Sequence, residues 1–136
     1  MEISLKNIEI INSMTVLKYL LQIEDKDFDI RTRLNLARNM KKIEYEYKLF
    51  SEVEMSLLNQ FALKDENGNF IMEDDGKEPK FAPNNKRLYL TKHDELLNEE
   101  STLNMALIKL NDIDKYMKTG EMLYFIEFMI DDSDDN

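Results

Sequence analysis

Residues 30–61 read IRTRLNLARNMKKIEYEYKLFSEVEMSLLNQF, and the spacing inside this stretch decides the fold. Ile30, Leu34, Ala37, Met40, Ile43, Tyr47, Phe50, Val53, Leu57 and Phe61 recur at intervals of three and four. That spacing stacks side chains on one face of an α-helix. It predicts one long amphipathic helix, with Asp27 or Asp29 able to cap its start. At 1.5 Å per residue such a helix extends roughly 45 to 50 Å, more than the width of a small domain. It is therefore expected to act as a spine for shorter elements. The apolar stripe reads as the core of its own domain, and the same stripe on a second copy would give a homodimer.

Upstream, Ile3 and Leu5 alternate with polar residues as a short edge strand does, and Asn12 or Ser13 is placed to open a helix carrying Val16, Leu17, Leu20, Leu21 and Ile23. Downstream, residues 65–76 read DENGNFIMEDDG. An EF-hand needs an oxygen ligand first, Gly sixth and Glu twelfth. Counting back from Gly68 or Gly76 puts Leu63 or Ile71 in the first position, and Ala82 stands twelfth from Ile71. Calcium ligation is thus not expected, and Asn67-Gly68 and Asp75-Gly76 read as tight turns. Pro83 suits the first position of a helix running to about Asn98. Residues 104–110, NMALIKL, are short and nearly all apolar, which predicts a buried strand able to pair with the first one. Asn111 and Thr119 then read as caps of a short turn and a terminal helix. The resulting fold class is α+β and mainly helical: a long central helix packed with shorter helices and a small two- or three-stranded sheet. It is read as a single globular domain over residues 1–130, with residues 131–136, DDSDDN, as a disordered acidic tail.

The chain has 136 residues, a net charge of −10 and no cysteine. Lack of cysteine removes disulfides, thiolate metal sites and cysteine nucleophiles, and fits a reducing compartment. The opening MEISLKNIEI does not have the form of a signal peptide, and no run approaches the roughly 18 apolar residues of a membrane span. The negative charge opposes attraction to nucleic acid or anionic lipid, so neither direct nucleic acid binding nor a membrane role is expected.

Chemical motifs are missing. No phosphate-binding glycine loop, zinc-protease motif or nucleophile elbow is found, and one histidine cannot build a histidine metal cluster. His93, in TKHDEL, reads as a solvent-facing helix residue, and the acidic pairs Glu99-Glu100 and Asp74-Asp75 receive no role. No catalytic, cofactor or metal residues are assigned. Two features point to a partner. Arg31, Arg38 and Lys42, separated by seven and four residues, form a basic ridge along one flank of the long helix, thickened by Arg33 and Lys41. The segment GEMLYFIEFMI, residues 120–130, is apolar on nearly every side and exceeds what the core of so small a domain covers, making Phe125 and Phe128 candidate contact residues.

ISLKN near the start, RTR at residues 31–33 opening the long helix, KDENGNF at its end, LLNEE at residues 96–100 and TGEMLYFIEFMI at residues 119–130 together resemble a family of small acidic proteins of phages and prophages of low-GC Gram-positive bacteria, known as a domain of unknown function. The resemblance implies origin and context and supplies no catalytic residue. The expected function is that of a noncatalytic phage accessory protein, late-gene or virion-associated, that binds a phage or host protein in the host cytoplasm. The alternative is an inhibitor of a host defence or transcription protein whose acidic surface imitates nucleic acid.

Overall fold

A computed structural model describes residues 1–131 and shows an α+β protein dominated by helices. The elements run β1 (Glu2–Lys6), α1 (Asn7–Leu21), α2 (Ile30–Phe61), α3 (Pro83–Asn98), β2 (Glu100–Asn104), β3 (Ile108–Lys109), α4 (Leu110–Ile113), a 3₁₀ turn (Asp114–Tyr116), α5 (Gly120–Ile126), a second 3₁₀ turn (Glu127–Met129) and β4 (Ile130–Asp131). The long helix has the bounds its spacing predicted. Two compact units are distinguished, the first formed by residues 1–48 and the chain from Glu100 onward, the second by Leu49–Glu99. Of the stretch expected to be a disordered tail, Asp131 pairs with Lys109, and residues 132–136 lie outside the described residues.

In the first unit β1 passes into α1 without a loop. The Lys6 N–H donates to the Glu9 carboxylate at 3.0 Å, satisfying backbone at the junction. The helix therefore starts at Asn7, five residues before the earlier of its two expected starts, and buries Ile10, Val16, Leu17 and Leu20. The antiparallel partner of β1 is β2, in a register that sets Ile3 opposite Leu103 and Leu5 opposite Ser101. Residues 104–110 do not form the expected strand. Met105 and Ile108 are both buried, and the segment breaks after β2 to plug the core, resuming as the two-residue β3 that runs parallel to β4.

What fixes that break is Asn39 of α2. Its side-chain amide donates to the Ala106 carbonyl at 2.8 Å and accepts the Ala106 N–H at 2.8 Å. One side chain thus does for Ala106 what a neighbouring strand would do, inside a core where a lone backbone group would be costly. The start of α2 is fixed by Asp29, whose carboxylate accepts the Thr32 N–H and the Thr32 hydroxyl, while that hydroxyl also reaches Asp112 at 2.8 Å. Donation from the Thr32 N–H, followed by that from its hydroxyl, holds the Asp29 carboxyl below its ordinary value.

The buried face of α2 keeps Met40, Ile43 and Phe50 of the stripe read in its sequence and departs from it in the first turns. Thr32, Leu36, Asn39, Met40, Ile43 and Phe50 are buried, whereas Ile30 is 83% exposed and Leu34 49%. The helix is rotated so that two polar residues with dedicated partners face inward at its start and two aliphatic residues face outward. At α5 the expected cap is present, with the Thr119 hydroxyl accepting the Met122 N–H at 3.2 Å. Ile126 and Met129 enter the core, and Phe125 and Phe128 pack half-buried against its edge.

The second unit joins the end of α2 to α3 by bridged extended segments, pairing Ala62 with Phe81, Lys64 with Phe70 and Met72 with Pro79. Both expected turns are present. Gly68 and Gly76 adopt φ of 81° and 70°, and Asp65 accepts the N–H groups of Asn67 and Asn69 while Asp75 accepts that of Lys77. These carboxylates stabilise turns. Pro83 opens α3 as expected, but no residue of α3 is buried. No helix among the described residues is long and apolar enough to cross a membrane.

Candidate functional site

The cations singled out on α2 have separate fates. Arg33 lies 4.6 Å over the ring of Phe28, which stacks on Tyr116 at 4.9 Å. Tyr116 in turn donates its hydroxyl to Asp25 at 2.8 Å. This cluster ties the loop after α1 to the 3₁₀ turn Asp114–Tyr116. Backbone donation from Asp27, ahead of the Tyr116 hydroxyl, holds Asp25 below the usual carboxylate value, while burial, followed by the bond to Asp25, pushes the Tyr116 phenol up. Lys42 donates to the Asn104 carbonyl at the end of β2. Arg33 and Lys42 thus have structural partners within the first unit.

Arg31, Arg38 and Lys41 remain exposed. Successive helix residues are rotated by about 100°, so Ile30, Leu34, Lys41 and Tyr45 fall on the side of α2 opposite Leu36, Asn39 and Ile43, with Arg38 beside them. Tyr45 is 64% exposed. The first half of α2 therefore presents an outer face on which aliphatic and aromatic side chains alternate with cations. Between residues 30 and 48 the cations Arg31, Arg33, Arg38, Lys41, Lys42 and Lys48 outnumber the acids Glu44 and Glu46, in a chain whose net charge is −10. Arg38 is braced by a 3.0 Å bond to Asn35 one turn earlier. Arg38 and Lys41 of this face are legible as basic in the sequence, and of its apolar residues Ile30 and Leu34 belong to the stripe expected in the core.

Phe125 and Phe128, the other candidates, line a groove with Ile8, Glu9, Asn12, Tyr124 and Glu127. Tyr124 stands 71% exposed beside them, a residue that apolar periodicity alone could not separate from its neighbours.

His93 is not solvent-facing as expected. Its Nε2 lies 2.7 Å from the Glu54 carboxylate, its ring meets Phe50 edge-on at 6.0 Å, and Tyr89 tilts against it at 5.4 Å with Phe81 stacked on Tyr89 at 4.9 Å. Burial, followed by the Glu54 charge, raises the Tyr89 phenol. The arrangement fastens α3 to the second half of α2 through aromatic contact and one charge-assisted bond. Thr91, the nearest hydroxyl in sequence, donates to the Arg87 carbonyl. Among the described residues no three histidines, cysteines or carboxylates are grouped to hold a metal ion. Against models of protein families, curated proteins and solved structures, the chain gives no match.

Proposed function

We propose that this protein is a noncatalytic accessory protein that works by binding another protein through the outer face of the first half of α2. One observation carries the reading: Ile30, Leu34 and Tyr45, three large apolar side chains with 83%, 49% and 64% exposure, lie in one row with Arg38 and Lys41. Exposed apolar residues scattered singly need no explanation, but a row flanked by cations has the composition of a binding surface. Tyr and Arg dominate such surfaces because each combines large contact area with directional polar groups. The partner this face selects carries acidic groups around an apolar strip. A phage origin and a role in virion assembly or host takeover rest on the sequence resemblance and belong to the proposal.

The test is capture from infected and uninfected host lysates with wild-type protein and with the triple variant Arg31→Glu, Arg38→Glu and Lys41→Glu. Exposed charges contribute about 0 to 1 kcal/mol each, so the variant is expected to keep its helical circular dichroism and cooperative melt. A partner held by the wild type and lost by the folded triple variant supports the proposal. Equal capture by both proteins would remove α2 as the site.

A further inference from the structure

The groove between α1 and α5 is built from different elements and does not depend on the reading of α2. We infer that it receives a cationic side chain, an arginine or lysine presented by a partner polypeptide. Its volume of about 480 Å³ is bordered by three aromatic residues, Tyr124, Phe125 and Phe128, and by two carboxylates, Glu9 and Glu127, with no cation among its lining residues. The Tyr124 and Phe125 rings stand with centroids 6.0 Å apart and planes inclined by 57°, so they form two walls of a corner and not a closed stack. Aromatic faces attract cations through their quadrupole, most strongly where a carboxylate shares the site and water is partly excluded.

Elsewhere among the described residues four aromatic rings carry an internal cation. Arg33 covers Phe28, Lys64 covers Phe70, Lys115 covers Tyr116 and Lys118 covers Tyr19. Among the described residues no such internal cation covers Tyr124, Phe125 or Phe128. Glu9 is fixed in place by the Lys6 N–H, and the Glu127 carboxylate makes no hydrogen bond or ion pair among the described residues, its residue being tied in through backbone alone. Ring faces and a carboxylate are therefore open to the same incoming charge. Negative groups are repelled by both acids and by the net charge of −10. A neutral apolar side chain would leave Glu127 facing it without compensation. The complementary group is a cation on a flexible stem, whose methylenes contact Phe125 and Phe128 while its head meets Tyr124 and Glu127.

The experiment is an amide chemical-shift titration of the full chain with an N-acetyl Gly-Arg-Gly amide, run beside the same peptide with citrulline, which keeps the shape of arginine and removes its charge. A matching lysine peptide forms the third arm. The expected result is saturable shifts centred on Glu9, Asn12, Tyr124, Phe125 and Phe128 with arginine or lysine, weaker by about tenfold with citrulline. Glu127→Gln and Tyr124→Ala are each expected to weaken the arginine peptide at least severalfold. Both positions are exposed, and an unchanged spectrum away from the groove verifies the fold of each variant. Equal binding of the citrulline peptide would overturn the inference in favour of a purely apolar groove. Absence of saturable shifts at millimolar arginine and lysine peptide, or shifts spread over the acidic surface without a centre at the groove, would overturn it outright.

Discussion

Single residues in this protein settle where the backbone turns and breaks. Asn39 shows how a side chain replaces a strand: with both of its amide atoms on Ala106, it permits the chain to leave β2 and cross the core without orphaning a peptide group. Gly68 shows the opposite case, a residue chosen for what it lacks. Its φ of 81° lies in the left-handed region, and nothing lies within 4 Å of where a Cβ would stand, so a substitution there is opposed by backbone strain alone. Gly68→Val is expected to destabilise by roughly 1 kcal/mol or more, read as a lowered denaturation midpoint at unchanged slope. A midpoint equal to wild type would mean the turn does not require positive φ.

At the scale of the element, α2 illustrates the difference between helical periodicity and helical orientation. Periodicity identified its length and bounds and the inward Ile43, but the helix turns Leu36 inward and Ile30 and Leu34 outward. The two orientations make opposite predictions for neighbouring leucines. Leu36→Ala removes a fully buried side chain and is expected to cost about 2 to 5 kcal/mol. Leu34→Ala, at a half-exposed position, is expected to change stability by only about 0.5 kcal/mol. Chemical denaturation of the two variants measures both. A larger loss from Leu34→Ala would place the apolar stripe, and not the Thr32–Leu36–Asn39 face, against the core.

At the scale of the molecule, burial is unequally divided between the two compact units. The first holds the continuous apolar cluster that includes Leu5, Ile10, Leu17, Leu20, Leu36, Ile43, Ile113, Ile126 and Met129. In the second, Phe50 is the buried hydrophobic residue and α3 contributes none. Local opening free energy follows buried apolar contact. Amide hydrogen exchange is therefore expected to be slowest in α1 and the first half of α2 and faster by orders of magnitude in α3. Uniform protection across α1 and α3 would show that the helices open as one cooperative unit.

The sequence by itself determined the features that depend on local physics. The span of α2 follows from apolar spacing, the opening of α3 from Pro83, the cap of α5 from Thr119, and the two turns from Asn67-Gly68 and Asp75-Gly76, since each is governed by backbone geometry and groups within a few residues. Of the candidate sites, the exposed cations Arg31, Arg38 and Lys41 were legible, and so was the aromatic segment holding Phe125 and Phe128. Apolar spacing placed Met40, Ile43 and Phe50 inward, but tertiary structure alone decided which side of the first turns of α2 faces the core, because Thr32 and Asn39 become tolerable inside only when Asp112 and Ala106, far along the chain, supply their hydrogen bonds. It likewise decided that residues 100–104 and not 104–110 pair with β1, that His93 meets Glu54, and that Arg33 and Lys42 are taken up internally. Except for Arg33, whose Phe28 is five residues upstream, the deciding partner is tens of residues away, where neither periodicity nor propensity carries information about which groups will meet.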